Sequence, residues 1–392
     1  MKTARNCFPT RRPFPYLALL FAALCLAAGP AWTAAPPQKI APVLQPFVDS
    51  NVLAGAVTLV ADKEKVLDVE AVGWADIAAK KKMRPDCLFW IASQSKPVTA
   101  AALMMLVDEG EVNLTDPVED YLPEFKDQWL AVEQEKDHVL LKKPKHPITV
   151  KNILSHTSGL PFKSALEQPT LDIFPLTVRV GSYAMTPLIF EPDTKYQYSN
   201  AGINTAGRII EVVTGMKYET FLDERLFKPL GMRDTTFWPN KGQLRRLAKA
   251  YKPNAAKDGL EECPIAQLKY PLDDRERQPM PAGGLFSTAK DLSLFYQMLA
   301  NNGAFRGRRI LSEQAVQQMT SKQTGDLPTP YGFALTVGGN KFGHGGAYGT
   351  NSSYDREHQL ITIFLVQHAG WAKNGKEILP TFQKAVTAAF AK

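Results

Sequence analysis

The chain has 392 residues, 45% of them hydrophobic, enough for one large two-lobed enzyme or two ordinary domains. Its net charge of +7 is concentrated at the start, because Lys2, Arg5, Arg11 and Arg12 lie in a leader without acids and the remainder carries only +3. That balance excludes a nucleic-acid footprint, and the six histidines include no H-E-x-x-H pair and no other metal-ligand spacing.

Residues 1–35 predict an export signal: a basic start, the apolar run Tyr16 to Ala28, then Gly29, Pro30 and small residues up to Ala35. Thirteen apolar residues are too few to span a bilayer. Cleavage is expected near Ala34 or Ala35. Leu24 is large where a lipid-attachment site before Cys25 needs a small residue. Thr10-Arg11-Arg12-Pro13-Phe14 resembles a twin-arginine signal, so that route stays open beside the general secretory one. The mature protein, residues 36–392, is thus expected in the periplasm or outside the cell, with no membrane span. It keeps two cysteines, Cys87 and Cys263, read as free thiols.

After the leader, Pro36 to Ser50 predicts a helix with Ile40, Val43, Leu44 and Phe47 on one face. Ala54 to Ala61 and Val66 to Val72 predict two strands around the polar turn Asp62-Lys63-Glu64-Lys65. An apolar helix over Ala100 to Val107 follows directly on Ile91-Ala92-Ser93-Gln94-Ser95-Lys96. Lys126 to His146, rich in Lys, Glu and Asp, reads as a solvated surface excursion. Ile203 to Val213 predicts a helix stopped by Gly215. Tyr331 to Val337, Gly349 to Asp355 and Leu360 to Gln367 predict strands, and Ile378 to Phe390 a closing helix. Strands at both ends with helices between them predict an α+β fold. A sheet lobe would come from about 36–98 and 282–392, and a mainly helical lobe from about 99–281.

Three short segments carry chemistry. Ser93 and Lys96 stand one helical turn apart, so the amine can reach the hydroxyl. A serine becomes a strong nucleophile only when a base takes its proton, and a lysine serves only if burial or nearby charge lowers its pKa from about 10.4. Tyr196-Gln197-Tyr198-Ser199-Asn200 supplies a second hydroxyl and an amide. Tyr198 could shuttle a proton, Asn200 could contact Lys96 or a substrate carbonyl and could also cap the helix after it, and Tyr196 reads as core. His344-Gly345-Gly346-Ala347 supplies glycines, which let backbone approach a ligand closely. Whether Lys96 or Tyr198 is the base stays open.

In order these boxes read S-x-x-K, Y-x-N and H-x-G, a pattern that resembles the class C β-lactamase family, which also holds DD-peptidases, D-aminopeptidases and carboxylesterases. The segments Ile153 to Pro161, Pro229 to Met232 and Ala282 to Thr288 extend the resemblance over nearly the whole mature chain. It implies an antiparallel sheet flanked by helices beside a mainly helical domain, with the active site in the groove between them. It also implies an acyl-enzyme on Ser93 and an oxyanion hole from the N–H groups of Ser93 and Ala347, with His344 to Gly346 on the sheet-edge strand beside the groove. No metal or cofactor is required, and the partner is a small ester, peptide or β-lactam. The third box departs from the β-lactamase pattern. His344 stands where a lysine would attract a substrate carboxylate; with an ordinary pKa near 6.5 it would be mostly neutral at pH 7 and charged near pH 5.5. Gly345 has no hydroxyl. Both shift the expected substrate towards an ester or a D-amino-acid peptide. A penicillin-binding sensor that acylates without turnover is the alternative. His156 and Ser158 lack a G-x-S-x-G elbow and read as a structural turn.

Overall fold

The computed structural model describes residues 39–391, and the leader expected over residues 1–35 lies outside them. The fold is built on one antiparallel sheet. Its strands are β1 (Gly55–Ala61), β2 (Val66–Asp76), β3 (Lys81–Lys82), β4 (Thr336–Gly338), β5 (Lys341–Gly345), β6 (Asn351–Asp355) and β7 (Leu360–Leu365), in the order β4-β5-β6-β7-β1-β2-β3. Strands from the two ends of the chain meet at the centre, where β1 pairs with β7 from Val57↔Leu365 to Ala61↔Ile361.

Alternation along these central strands explains the layers. Successive side chains point to opposite faces. Ala56 and Val60 of β1, with Leu360 and Phe364 of β7, pack against residues near both chain ends, among them Leu44, Phe47, Ile378 and Phe382. Val57, Leu59, Ile361 and Ile363 face the other way, into a larger core shared with α1 (Ser95–Asp108), α3 (Asn200–Thr214) and α4 (Ala289–Ala300). A central strand covered on both sides is mostly apolar, and every residue of β1 is buried, Thr58 being its one polar side chain. The closing helix, α5 (Ile378–Phe390), has the predicted bounds.

α1 runs through the interior, with every residue from Ser95 to Leu106 buried. A helix that is apolar nearly all round belongs inside. Pro97 stands in its first turn, where a missing N–H leaves no bond unmade. α3 lies against α2 (Val150–Ser155) because Gly202 has no side chain: a Cβ there would stand 2.8 Å from the Ile153 carbonyl oxygen.

Three sequence-based expectations change in detail. The start of the helix expected over Pro36 to Ser50 lies outside the described residues, and residues 39–50 form no continuous helix; a 3₁₀ turn over Ala41–Leu44 leads into a single α-turn over Gln45–Asp49. Pro42 and Pro46 each stand at a start, where the absent N–H is tolerated, and their spacing breaks the ladder between them. Only Thr336–Gly338 of the run Tyr331 to Val337 is strand. The residues before it bond elsewhere, with Phe333 N–H on Met319 O and Ala334 N–H on Leu154 O. The excursion Lys126 to His146 holds an exposed hairpin of Leu130–Gln134 with Val139–Lys142. Cys87 and Cys263 are free thiols, as expected. No helix among the described residues is long and apolar enough to cross a membrane.

Candidate active site

Ser93 sits in a 3₁₀ turn over Ala92–Gln94, immediately before α1 rather than in its first α-turn. The turn is entered through Ala92 at φ +48°, in the left-handed region. Ser95 holds it in place, donating from Oγ to Ala92 O at 2.7 Å and accepting Leu285 N–H at 3.1 Å. Ser93 is half-buried and Lys96 has no exposed surface.

The Lys96 amine stands 3.1 Å from Ser93 Oγ, 2.7 Å from Asn200 Oδ1 and 2.6 Å from Ala282 O. The last two can only accept, so two N–H bonds are spent on them. The remaining contact faces the serine. Burial lowers the Lys96 pKa well below its ordinary value. A neutral amine then presents its lone pair to Ser93 and can accept the hydroxyl proton.

Tyr198 packs over this pair, with Lys96 Nζ 4.6 Å from its ring centroid. Burial raises its phenol above 10, outweighing the lowering influence of the Ser93 hydroxyl. Tyr198 therefore holds its proton at neutral pH. The cap of α3 is Ser199, not Asn200: Ser199 Oγ accepts Gly202 N–H at 3.1 Å. Asn200 is thereby left free to hold Lys96. Tyr196 is not core; it is half-buried and packs on Tyr331 (5.3 Å between centroids) and His156 (6.0 Å).

His344, Gly345 and Gly346 lie at the end of β5. This is not the outermost strand of the sheet, but β4 covers only Lys341 to Gly343. His344 and Gly345 pair on one side alone, with Ser352 and Asn351 of β6, and so keep an edge character. Gly346 abuts the serine turn: a Cβ there would stand 2.5 Å from Ile91 O and 2.2 Å from Thr350 Oγ1. Gly345 is uncrowded, its nearest neighbour at 3.6 Å. Ala347 is exposed in the turn that follows. Neither its N–H nor that of Ser93 has a hydrogen-bond partner among the described residues. Two free backbone donors on adjoining turns are what a developing oxyanion requires.

The expected titration of His344 near pH 6.5 does not occur. Burial, with the nearby Lys96 amine, lowers its pKa to about 3. Its Nε2 stands 3.0 Å from the Tyr331 hydroxyl and its Nδ1 2.6 Å from Gly345 O. The ring is neutral throughout the physiological range and engaged at both nitrogens, so it offers no charge to a substrate carboxylate.

His156 does end α2, as a left-handed C-cap at φ 60°, and Gly159 is likewise in the left-handed region at φ 78°. His156 also lines the site. Its ring lies 4.6 Å from Tyr198 and 4.9 Å from Tyr331, and its Nδ1 accepts Ser199 N–H at 3.3 Å. Sequence reasoning missed Tyr331 and Ala282 O as well. The Ala282-Gly283-Gly284 run was the available signal for Ala282, but a backbone carbonyl has no side-chain signature. A cavity of about 620 Å³ lined by Leu247, Ala250, Ile265, Tyr270 and Leu272, with Lys249, Glu262 and Asp273 also on its wall, contains none of the site residues, and nor does a larger one of about 710 Å³ beside Val107 and Phe333, so cavity size alone does not find the chemistry.

The sequence profile of the Beta-lactamase family matches residues 40–381. Protein Rv1367c of Mycobacterium tuberculosis (strain ATCC 25618 / H37Rv) is 31% identical over 359 residues, covering 82% of this chain and 87% of its own. Esterase EstB of Burkholderia gladioli is 32% identical over 277 residues, covering 64% and 67%. Among solved structures, EstCE1, a hydrolase with promiscuous acyltransferase activity, superposes with a TM-score of 0.73 over 88% of this chain and 97% of its own, at 24% identity. That identity supports the fold alone, but the profile spans the serine turn, the tyrosine box and the glycine-rich strand end together. This chain belongs to the Beta-lactamase family, as one of its serine hydrolases.

Proposed function

We propose that the chain is an exported serine hydrolase that cleaves a small, uncharged ester, or the amide of a D-amino-acid peptide, through an acyl-enzyme on Ser93. The observation that carries this reading is the buried Lys96 amine, 3.1 Å from Ser93 Oγ with its other contacts fixed by Asn200 Oδ1 and Ala282 O. Lys96 takes the proton as Ser93 Oγ bonds to the substrate carbonyl carbon, and the carbonyl oxygen becomes an anion held by the N–H groups of Ser93 and Ala347. One such donor is worth about 3 kcal/mol. Collapse breaks the bond to the leaving group, which takes a proton from the Tyr198 hydroxyl, and Lys96 returns its proton to Tyr198. Water then attacks the acyl carbon by the same steps in reverse, freeing the acid and restoring Ser93.

The substrate class follows from charge. Neutral His344 stands where a cation would hold an anionic substrate, and the exposed Phe162 ring stacks on Tyr198 at 6.4 Å, giving the mouth an apolar side. EstB is named an esterase, which agrees. Export rests on the leader of residues 1–35 and predicts a mature N-terminus near Ala35 or Pro36.

Intact mass after treatment with a fluorophosphonate tests the site. One adduct is expected, on a peptide containing Ser93, and none in Ser93→Ala. Labelling at Ser158 or Ser199, both buried, would overturn the assignment. Short p-nitrophenyl esters should turn over faster than a chromogenic cephalosporin, and a burst without turnover on every substrate would instead identify the non-turnover sensor.

A further inference from the structure

Tyr331 belongs to none of the three boxes, yet it is fully enclosed beside them. It is 2% exposed, and its ring lies against His156 and Tyr196. Its hydroxyl stands 3.0 Å from His344 Nε2.

The two contacts of His344 admit one arrangement of protons. Gly345 O, 2.6 Å from Nδ1, is a carbonyl and can only accept, so Nδ1 carries the hydrogen. The neutral ring has no second hydrogen, so Nε2 accepts and the Tyr331 hydroxyl donates. The groups facing this ring leave no other source for that hydrogen bond. Lys96 is spent on Ser93, Asn200 and Ala282, Tyr198 lies 6.0 Å away between ring centroids, and Tyr296 donates its hydroxyl to Ser352 O.

The carbonyl that His344 holds is one end of the Gly345–Gly346 peptide. The other end is held too, with Gly346 N–H on Thr350 O at 2.8 Å. Two glycines would otherwise leave this peptide free to rotate. The next N–H along the chain is that of Ala347, one of the two free donors beside the serine turn.

We propose that Tyr331 is a positioning residue for the reaction: its hydroxyl locks His344 as the Nδ1–H tautomer, and His344 in turn pins the peptide from which the Ala347 oxyanion donor projects. The reach to Ala347 rests on the acyl-transfer reading above; the lock on His344 does not.

The test is Tyr331→Phe, which removes one oxygen and keeps the packed ring. With a short p-nitrophenyl ester, kcat should fall about tenfold, the scale of one misplaced hydrogen bond, while KM stays within about twofold, because an oxyanion donor acts on the transition state. Inactivation by the fluorophosphonate should slow in parallel. The double variant Tyr331→Phe/His344→Gln should be no slower than the slower single one, since both break one chain of contacts. The thermal midpoint of each variant checks that the fold survives. A loss confined to KM, or additive losses in the double variant, would overturn the proposal. Long-range ¹H–¹⁵N spectra of the imidazoles read the lock without any turnover. The wild type should show His344 protonated at Nδ1 alone, and Tyr331→Phe should show exchange with the Nε2–H form. A wild-type Nε2–H tautomer, or a Tyr331→Phe spectrum unchanged at His344, refutes the lock. A wild type that is never acylated at Ser93 refutes the hydrolase reading instead, and the spectra still decide the role of Tyr331.

Discussion

The two glycines of the third box should respond very differently to the same methyl group. In Gly346→Ala the new Cβ would lie 2.5 Å from Ile91 O and 2.2 Å from Thr350 Oγ1. Thr350 is buried, so its side chain has little room to turn away, and Ile91 O is backbone. Restoring an ordinary contact with Ile91 O means moving the strand end and the serine turn apart by about 1 Å, and a displacement of that size at a reacting centre costs roughly a hundredfold in rate. Overpacking of this kind also costs about 1–3 kcal/mol of stability. In Gly345→Ala the nearest atom is 3.6 Å away, an ordinary contact, and activity should stay within about threefold of wild type. The assay is kcat/KM for a short p-nitrophenyl ester, with chemical denaturation of each variant alongside. Equal losses in the two variants, or a Gly346→Ala enzyme that is folded and fully active, would refute the argument that close contact between strand end and serine turn builds the site.

Three further outcomes are expected. Because burial lowers the Lys96 pKa well below its ordinary value, kcat/KM should fall as acid protonates the amine, with a midpoint well below 10.4; a rate that climbs with a midpoint near 10.4, the ordinary lysine value, would refute Lys96 as a neutral base. The preference for short esters over an anionic cephalosporin should be the same at pH 7.5 and pH 5.5, because His344 with a pKa of about 3 stays uncharged at both; a gain of several-fold for the cephalosporin at pH 5.5 would show that the ring titrates. Arg277→Met should cost about 3–5 kcal/mol in urea denaturation, because it leaves the Asp172 carboxylate buried without its 2.8 Å partner, and a loss below about 1 kcal/mol would show that the pair is dispensable.

Sequence alone determined a good deal of this protein. The short, mostly apolar run of β1 before a polar turn, the spacing of Ser93 and Lys96, and the stop at Gly215 are local, and local rules read them. The order of three short boxes was enough to place the chain in its family. Other features were decided only when distant segments met. Ser199 rather than Asn200 caps α3 because the side chain that reaches Gly202 N–H does so, and both residue types are good caps. Tyr331 joins the site through a hydroxyl 3.0 Å from a histidine 13 residues away, in a run whose pattern suggested plain strand. Ala282 holds Lys96 across 186 residues through a carbonyl that every residue possesses. Most of all, the charges of Lys96 and His344 were not in the sequence, because a pKa depends on which atoms replace water around the group. That replacement is made by the whole fold, and it lowers the pKa of a lysine and of a histidine alike.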